Sequence, residues 1–158
     1  MTNKKQIIKD LKGDWTAARI VVHYKAASLN NATIKTHKDA YKMIISVWDK
    51  ELINLQEQAM AFFLNRKNML IGYRLICSGT SHQCFIDVKF LASLALHTMA
   101  SSVILAHNHP SGRTEPSGAD RVITEKIRLA LELIDVKLIE HIIITEEGYY
   151  SFADEGKL

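Results

Sequence analysis

The run Ser102-Val103-Ile104-Leu105-Ala106 lacks the polar alternation of a half-exposed strand, a pattern that suits a central strand buried on both faces. Such a strand needs a layer of structure on each side, so a layered domain must form around it. It runs directly into His107-Asn108-His109-Pro110, and Ser117-Gly118-Ala119-Asp120 follows after a loop holding the second proline, Pro116. Residues i and i+2 of a strand share a side, which aims the imidazoles of His107 and His109 into one space, and Pro110 ends the pairing. Neutral imidazole is a common zinc ligand, and Asp120 offers an anionic oxygen from the first turn of the next helix. Two His and one Asp leave one position of a tetrahedral zinc open, which marks a catalytic rather than a structural site. Ser117 and Asp120 also read as an N-cap serine and a first-turn acid, features that simply start helices. The two readings are compatible at Ser117.

The remaining segments predict the layers. Thr36-His37-Lys38-Asp39 looks like a capping box opening a helix over about 37–49, with Ala40, Met43, Ile44 and Val47 at helical spacing. Ala59–Leu64 and Met69–Ile76 read as a β-hairpin turning at Arg66-Lys67, with Glu57 at the entry to its first strand and Gly79-Thr80 breaking its second. Asp87 caps a helix carrying Phe90, Leu91, Leu94, Ala95 and Thr98. Ile123, Ile127, Ala130 and Ile134 mark the buried stripe of a helix over about 118–135. Strands are expected over 136–145 and 149–152, and a further short one over 19–24 behind a loose tail at 1–14. The region 28–33 reads as a loop. Strands and helices alternate, which predicts one layered α/β (α+β) domain.

Composition narrows the class. A chain of 158 residues holds a real core without staples. No window approaches 18 apolar residues and the N-terminus lacks a signal-peptide core, so a cytoplasmic protein without a membrane partner is expected. Cys77 and Cys84 form no Cys-x-x-Cys and read as reduced packing residues. Residues 1–50 carry ten Lys/Arg against four Asp/Glu; this reads as a solvated face, with nucleic-acid contact as the alternative. His23 and His37 stand far from any ligand partner in sequence and read as ordinary polar histidines.

A zinc site of this kind needs a carboxylate to take up and deliver a proton. Glu115 and Glu57 are both candidates, and spacing does not choose between them. Several other signatures fail. The His-Asn-His triplet is consecutive, whereas the nuclease motif of that name spreads over a ββα unit. There is no deaminase Pro-Cys-x-x-Cys, no His-Glu-x-x-His and no phosphate-binding glycine loop.

The pattern His-x-His, seven residues, Ser-x-x-Asp, met by His107, His109, Ser117 and Asp120, resembles the JAMM signature of JAB/MPN metalloproteases. His107–Gly112 with Pro116-Ser117 is most similar to the RadC branch. So are Phe63–Asn68, Ser78-Gly79-Thr80, Ala100–Leu105, His141–Ile144 and Tyr150-Ser151-Phe152. The resemblance covers about residues 36–158, leaving 1–35 as an N-terminal extension that does not resemble the helical module often found there in RadC proteins. It implies a cytidine-deaminase-like mixed sheet flanked by helices and a bound Zn2+ held by His107, His109 and Asp120. It also implies Glu57 as general acid/base, Ser117 as oxyanion donor, and a peptide or protein substrate cut at a peptide or isopeptide bond. The alternative that the RadC label suggests is a non-catalytic accessory protein of DNA repair or mobile elements, binding nucleic acid or a protein partner; the intact ligand set and Glu57 argue against it. The family often has Asp before the histidine of its penultimate strand; here the pair is Glu140-His141, and His141 reads either as a group behind the ligands or as a plain structural histidine.

Overall fold

The computed structural model describes residues 33–158. The expected tail over 1–14, the strand over 19–24 with His23, and nearly all of the 28–33 loop lie outside the described residues. Helix α1 (His37–Val47) begins at a reciprocal capping box: Asp39 N–H donates to Thr36 Oγ1 at 3.1 Å and Thr36 N–H donates to Asp39 Oδ2 at 3.0 Å. The hairpin strands are β1 (Gln58–Leu64) and β2 (Leu70–Ser78). Between them Asn65 N–H donates to Met69 O, and Asn68 takes a left-handed φ of 53° that asparagine tolerates well. There follow α2 (Val88–His97), capped by Asp87, then β3 (Ser102–Asn108), α3 (Gly118–Glu132), β4 (Lys137–Ile144) and β5 (Tyr149–Ser151). Helix α3 stops at Glu132, short of the expected 135. Asp135 turns left-handed (φ 56°), and Val136 N–H returns to Leu131 O at 3.0 Å.

The strands form one mixed sheet in the order β2-β1-β3-β4-β5, antiparallel throughout except for the β3/β4 pair. A parallel pair needs a crossover, and α3 supplies it. Every residue of β1 and of β3 is buried, as the unalternated run required. One sheet face packs Ala61, Phe63, Val103 and Leu105 against Leu91 and Ala95 of α2 and Ile127 and Leu131 of α3. The other packs Met60, Phe62, Ile104, Ala106 and Ile142 against Ala40 and Ile44 of α1. This is an α+β layered domain.

The stripe of α3 differs from the apolar pattern. Its buried residues are Asp120, Thr124, Ile127 and Leu131, whereas Ile123, Ala130 and Ile134 are only half-buried. The helix is rotated so that two polar residues at i and i+4 face the sheet.

Alternation along β3 also sets Asn108 on the face opposite the histidines. There its side chain is fully engaged: Oδ1 accepts from Gln58 N–H at 2.7 Å, and Nδ2 donates to Ile53 O at 2.7 Å and Gln56 O at 2.9 Å. These three bonds bracket Glu57. Replacing Asn108 by leucine leaves one donor and two acceptors unpaired, and each buried unpaired group costs about 1–3 kcal/mol. Urea unfolding of Asn108→Leu should therefore show a stability loss of about 3 kcal/mol at unchanged m-value; a loss below about 1 kcal/mol would refute the clamp.

Candidate metal centre

Three elements deliver the site. His107 lies in β3, His109 directly follows it, and Asp120 occupies the first turn of α3. Pairing continues past the end of β3, since His109 N–H donates to Ile144 O at 3.0 Å. The loop then turns at Gly112, whose φ of 75° suits glycine. That turn brings the Arg113 carbonyl to 2.7 Å from His109 Nδ1. A carbonyl only accepts, so His109 carries a proton on Nδ1 and presents Nε2 to the site.

His107 Nε2 is 3.1 Å from His109 Nε2 and 3.2 Å from Asp120 Oδ1, while His109 Nε2 is 3.5 Å from Asp120 Oδ2. One ligand atom from each residue lies within 4.8 Å of the others, and among the described residues no fourth His, Cys, Asp or Glu joins this group. Three electron-pair donors so converged suit a divalent cation with a position left open, and the two-imidazole, one-carboxylate set suits zinc. Asp120 is oriented by Ser117: Oδ2 accepts from Ser117 N–H at 2.7 Å and from Ser117 Oγ–H at 2.6 Å, while Asp120 N–H donates to Ser117 Oγ at 3.1 Å. Ser117 and Asp120 thus form a capping box and the same contacts turn Oδ1 toward His107.

Glu57 and Ser117 line the same cleft, a cavity of about 830 Å³ that also includes His107, His109 and Asp120. Ala59 pairs with His107, and Glu57 stands two residues before it, just ahead of the start of β1. The Glu57 backbone is pinned by bonds to Thr80 O at 2.7 Å and from Gly79 N–H at 2.8 Å. Gly79 has a packing reason as well, since a Cβ there would lie 2.7 Å from the Cα of Cys84. Glu115 also lines the cleft, but it is exposed in the loop.

Burial raises the Glu57 carboxyl above its ordinary value, against the pull of His107 and His109. Burial would raise Asp120 too, but the adjoining His107 and His109 and the hydrogen bond from Ser117 outweigh it and hold that carboxyl well below the carboxylate range. The hydrogen bond to Asp120 raises His109. Behind His107, His141 Nε2 sits 2.8 Å from His107 Nδ1, and Thr124 Oγ1 sits 2.6 Å from His141 Nδ1. The sequence reading missed Thr124, although its i+4 spacing from Asp120 puts both on one helix face. His37, expected to be an ordinary polar histidine, lies outside the site, 3.1 Å from Asp154.

The family model for the RadC-like JAB domain matches residues 34–157. The chain belongs to this family. It is 45% identical over 100 residues to a UPF0758 protein of Flavobacterium johnsoniae, covering 63% of this chain and 44% of that one. It is 39% identical over 103 residues to the UPF0758 protein YfjY of Escherichia coli, covering 65% and 64%. A UPF0758 protein of Thermotoga maritima is 37% identical over 110 residues, covering 69% and 50%. The match thus spans 44% to 64% of the length of these relatives. Among the described residues no helix is long and apolar enough to cross a membrane.

The ion pair in this RadC-like site carries a signed pH dependence in the metal-free protein. The raised His109 adds stability below its ordinary value of 6.5, lost as pH climbs past its folded value. The lowered Asp120 adds stability above its ordinary 3.8, lost as pH falls toward its folded value. Metal-free protein should therefore gain stability from the pair at about pH 5.5 and progressively lose His109's share at an alkaline pH above its folded value. Urea midpoints at the two pH values should differ less in Asp120→Asn than in the wild type; an unchanged difference would refute the pair.

Proposed function

We propose that this chain is a zinc-dependent hydrolase of the JAMM type, cutting a peptide or isopeptide bond in a peptide or protein substrate in the cytoplasm. The observation that carries the reading is the convergence of His107, His109 and Asp120 at a cleft wall shared with the half-buried Glu57. His107, His109 and Asp120 would hold the ion. Bound there, zinc would supply Lewis acidity to polarise a scissile carbonyl and to lower the pKa of water to about 7. Glu57 accepts the proton of the attacking water and passes it to the leaving nitrogen. A carboxyl raised by burial suits both halves of that transfer. Ser117 holds Asp120 in the resting arrangement and turns its hydroxyl to the developing oxyanion. Its backbone N–H remains on Asp120 Oδ2 and keeps the ligand oriented meanwhile.

Glu57→Gln should retain one equivalent of zinc by elemental analysis. It should also lose hydrolysis of a degenerate peptide library by about a hundredfold or more, the usual range for an acid/base group. A Glu57→Gln protein that cuts the library like the wild type would sink this mechanism. Zinc-loaded wild type that cuts neither the library nor isopeptide-linked substrates would sink the hydrolase reading.

A further inference from the structure

His141 stands on β4 directly behind His107, fully buried, with its ring stacked on Phe152 at 4.7 Å and 10° and its backbone N–H held by Glu140 Oε1 at 2.8 Å. Each ring nitrogen has one polar neighbour: Nε2 meets His107 Nδ1 at 2.8 Å and Nδ1 meets Thr124 Oγ1 at 2.6 Å. A neutral imidazole has one proton to place, and the Thr124 hydroxyl decides where. Thr124 Oγ1 lies 2.5 Å from the backbone oxygen of Asp120, which can only accept, so the hydroxyl proton goes there. Oγ1 must then accept from His141, which fixes that proton on Nδ1. His141 Nε2 is left with a lone pair and accepts from His107 Nδ1. The lone pair of His107 therefore lies on Nε2, the nitrogen facing His109 and Asp120.

We infer that Thr124 and His141 are positioning residues, a one-way chain of hydrogen bonds that holds His107 as the tautomer able to bind a metal through Nε2; this role rests on the metal reading above. The chain returns to the backbone of Asp120, so it also ties two candidate ligands on different elements into one ring of contacts. Hydrogen bonds to the outer nitrogen of a metal-binding histidine are generally worth tenfold to a hundredfold in metal affinity.

The test uses the full 158-residue chain. In 15N-labelled protein stripped with a chelator, long-range 15N–1H NMR should show His141 protonated on Nδ1. Thr124→Val keeps the shape and removes the hydroxyl, and it should weaken Zn2+ binding about 10- to 100-fold in competition with a chromophoric chelator. Thr124→Ser should restore affinity to within about threefold. His141 protonated on Nε2, or Thr124→Val binding Zn2+ as tightly as the wild type, overturns the inference. A wild-type chain that binds no Zn2+ overturns the metal reading and this role with it, and the His141 tautomer then shows whether the proton order itself was wrong. Should Thr124→Val fail to fold, the wild-type tautomer still decides.

Discussion

The burial of β3 on both faces is the constraint on which the other elements depend. Its seven residues are all covered, so helices must lie above and below it and its backbone groups must pair on both edges. β1 satisfies one edge antiparallel and β4 the other in parallel. The parallel pairing in turn forces a crossover, and that crossover is α3, the helix that carries Asp120. The candidate ligand set is therefore a consequence of sheet topology: the strand that supplies two imidazoles feeds the helix that supplies the carboxylate.

The site works against the stability of the domain that builds it. Three polar groups meet where the surroundings would favour apolar ones, and His107 and Asp120 are almost wholly buried. Two imidazole lone pairs 3.1 Å apart repel unless a proton or a metal lies between them. The structure offsets part of this through outer partners. The Arg113 carbonyl accepts from His109, Ser117 donates twice to Asp120, and His141 backs His107. Each partner fixes an orientation as well as satisfying a group, so the ligands are arranged before any ion arrives and the entropy of arranging them is met during folding.

Much of this was legible in the sequence, because the readable features were local. The capping boxes at Thr36 and Ser117, the cap at Asp87, the hairpin around Asn65–Met69 and the buried run of β3 each depend on residues within a few positions of one another. The pair His107 and His109 was readable for the same reason, through the two-residue period of a strand. The rotation of α3 was not. Apolar residues at 123, 127, 130 and 134 suggest one stripe, and the helix instead turns Asp120 and Thr124 inward because His107 and His141 offer them partners. That preference arises from residues on two other elements. The choice between Glu57 and Glu115 depends likewise on a strand pairing 50 residues distant in the chain; resemblance supplied it, and the register of β1 on β3 gives it a physical basis.

The same alternation explains why Asn108 stands between the two histidines. Odd positions of this strand end face the cleft, and the even position faces the opposite layer. His107 and His109 thus reach toward Asp120 while Asn108 reaches back to Ile53 and to Gln56 and Gln58, the two residues that flank Glu57. Adjacent residues of one strand then face the candidate metal ligands on one side and tie down the backbone around Glu57, the candidate proton-transfer group, on the other. Asn108 thereby ties the backbone on both sides of Glu57 to the strand that carries the histidines. A carboxylate borne on an independent loop, as Glu115 is, has no such tie, and in a proton transfer whose rate depends on sub-ångström placement that difference favours Glu57.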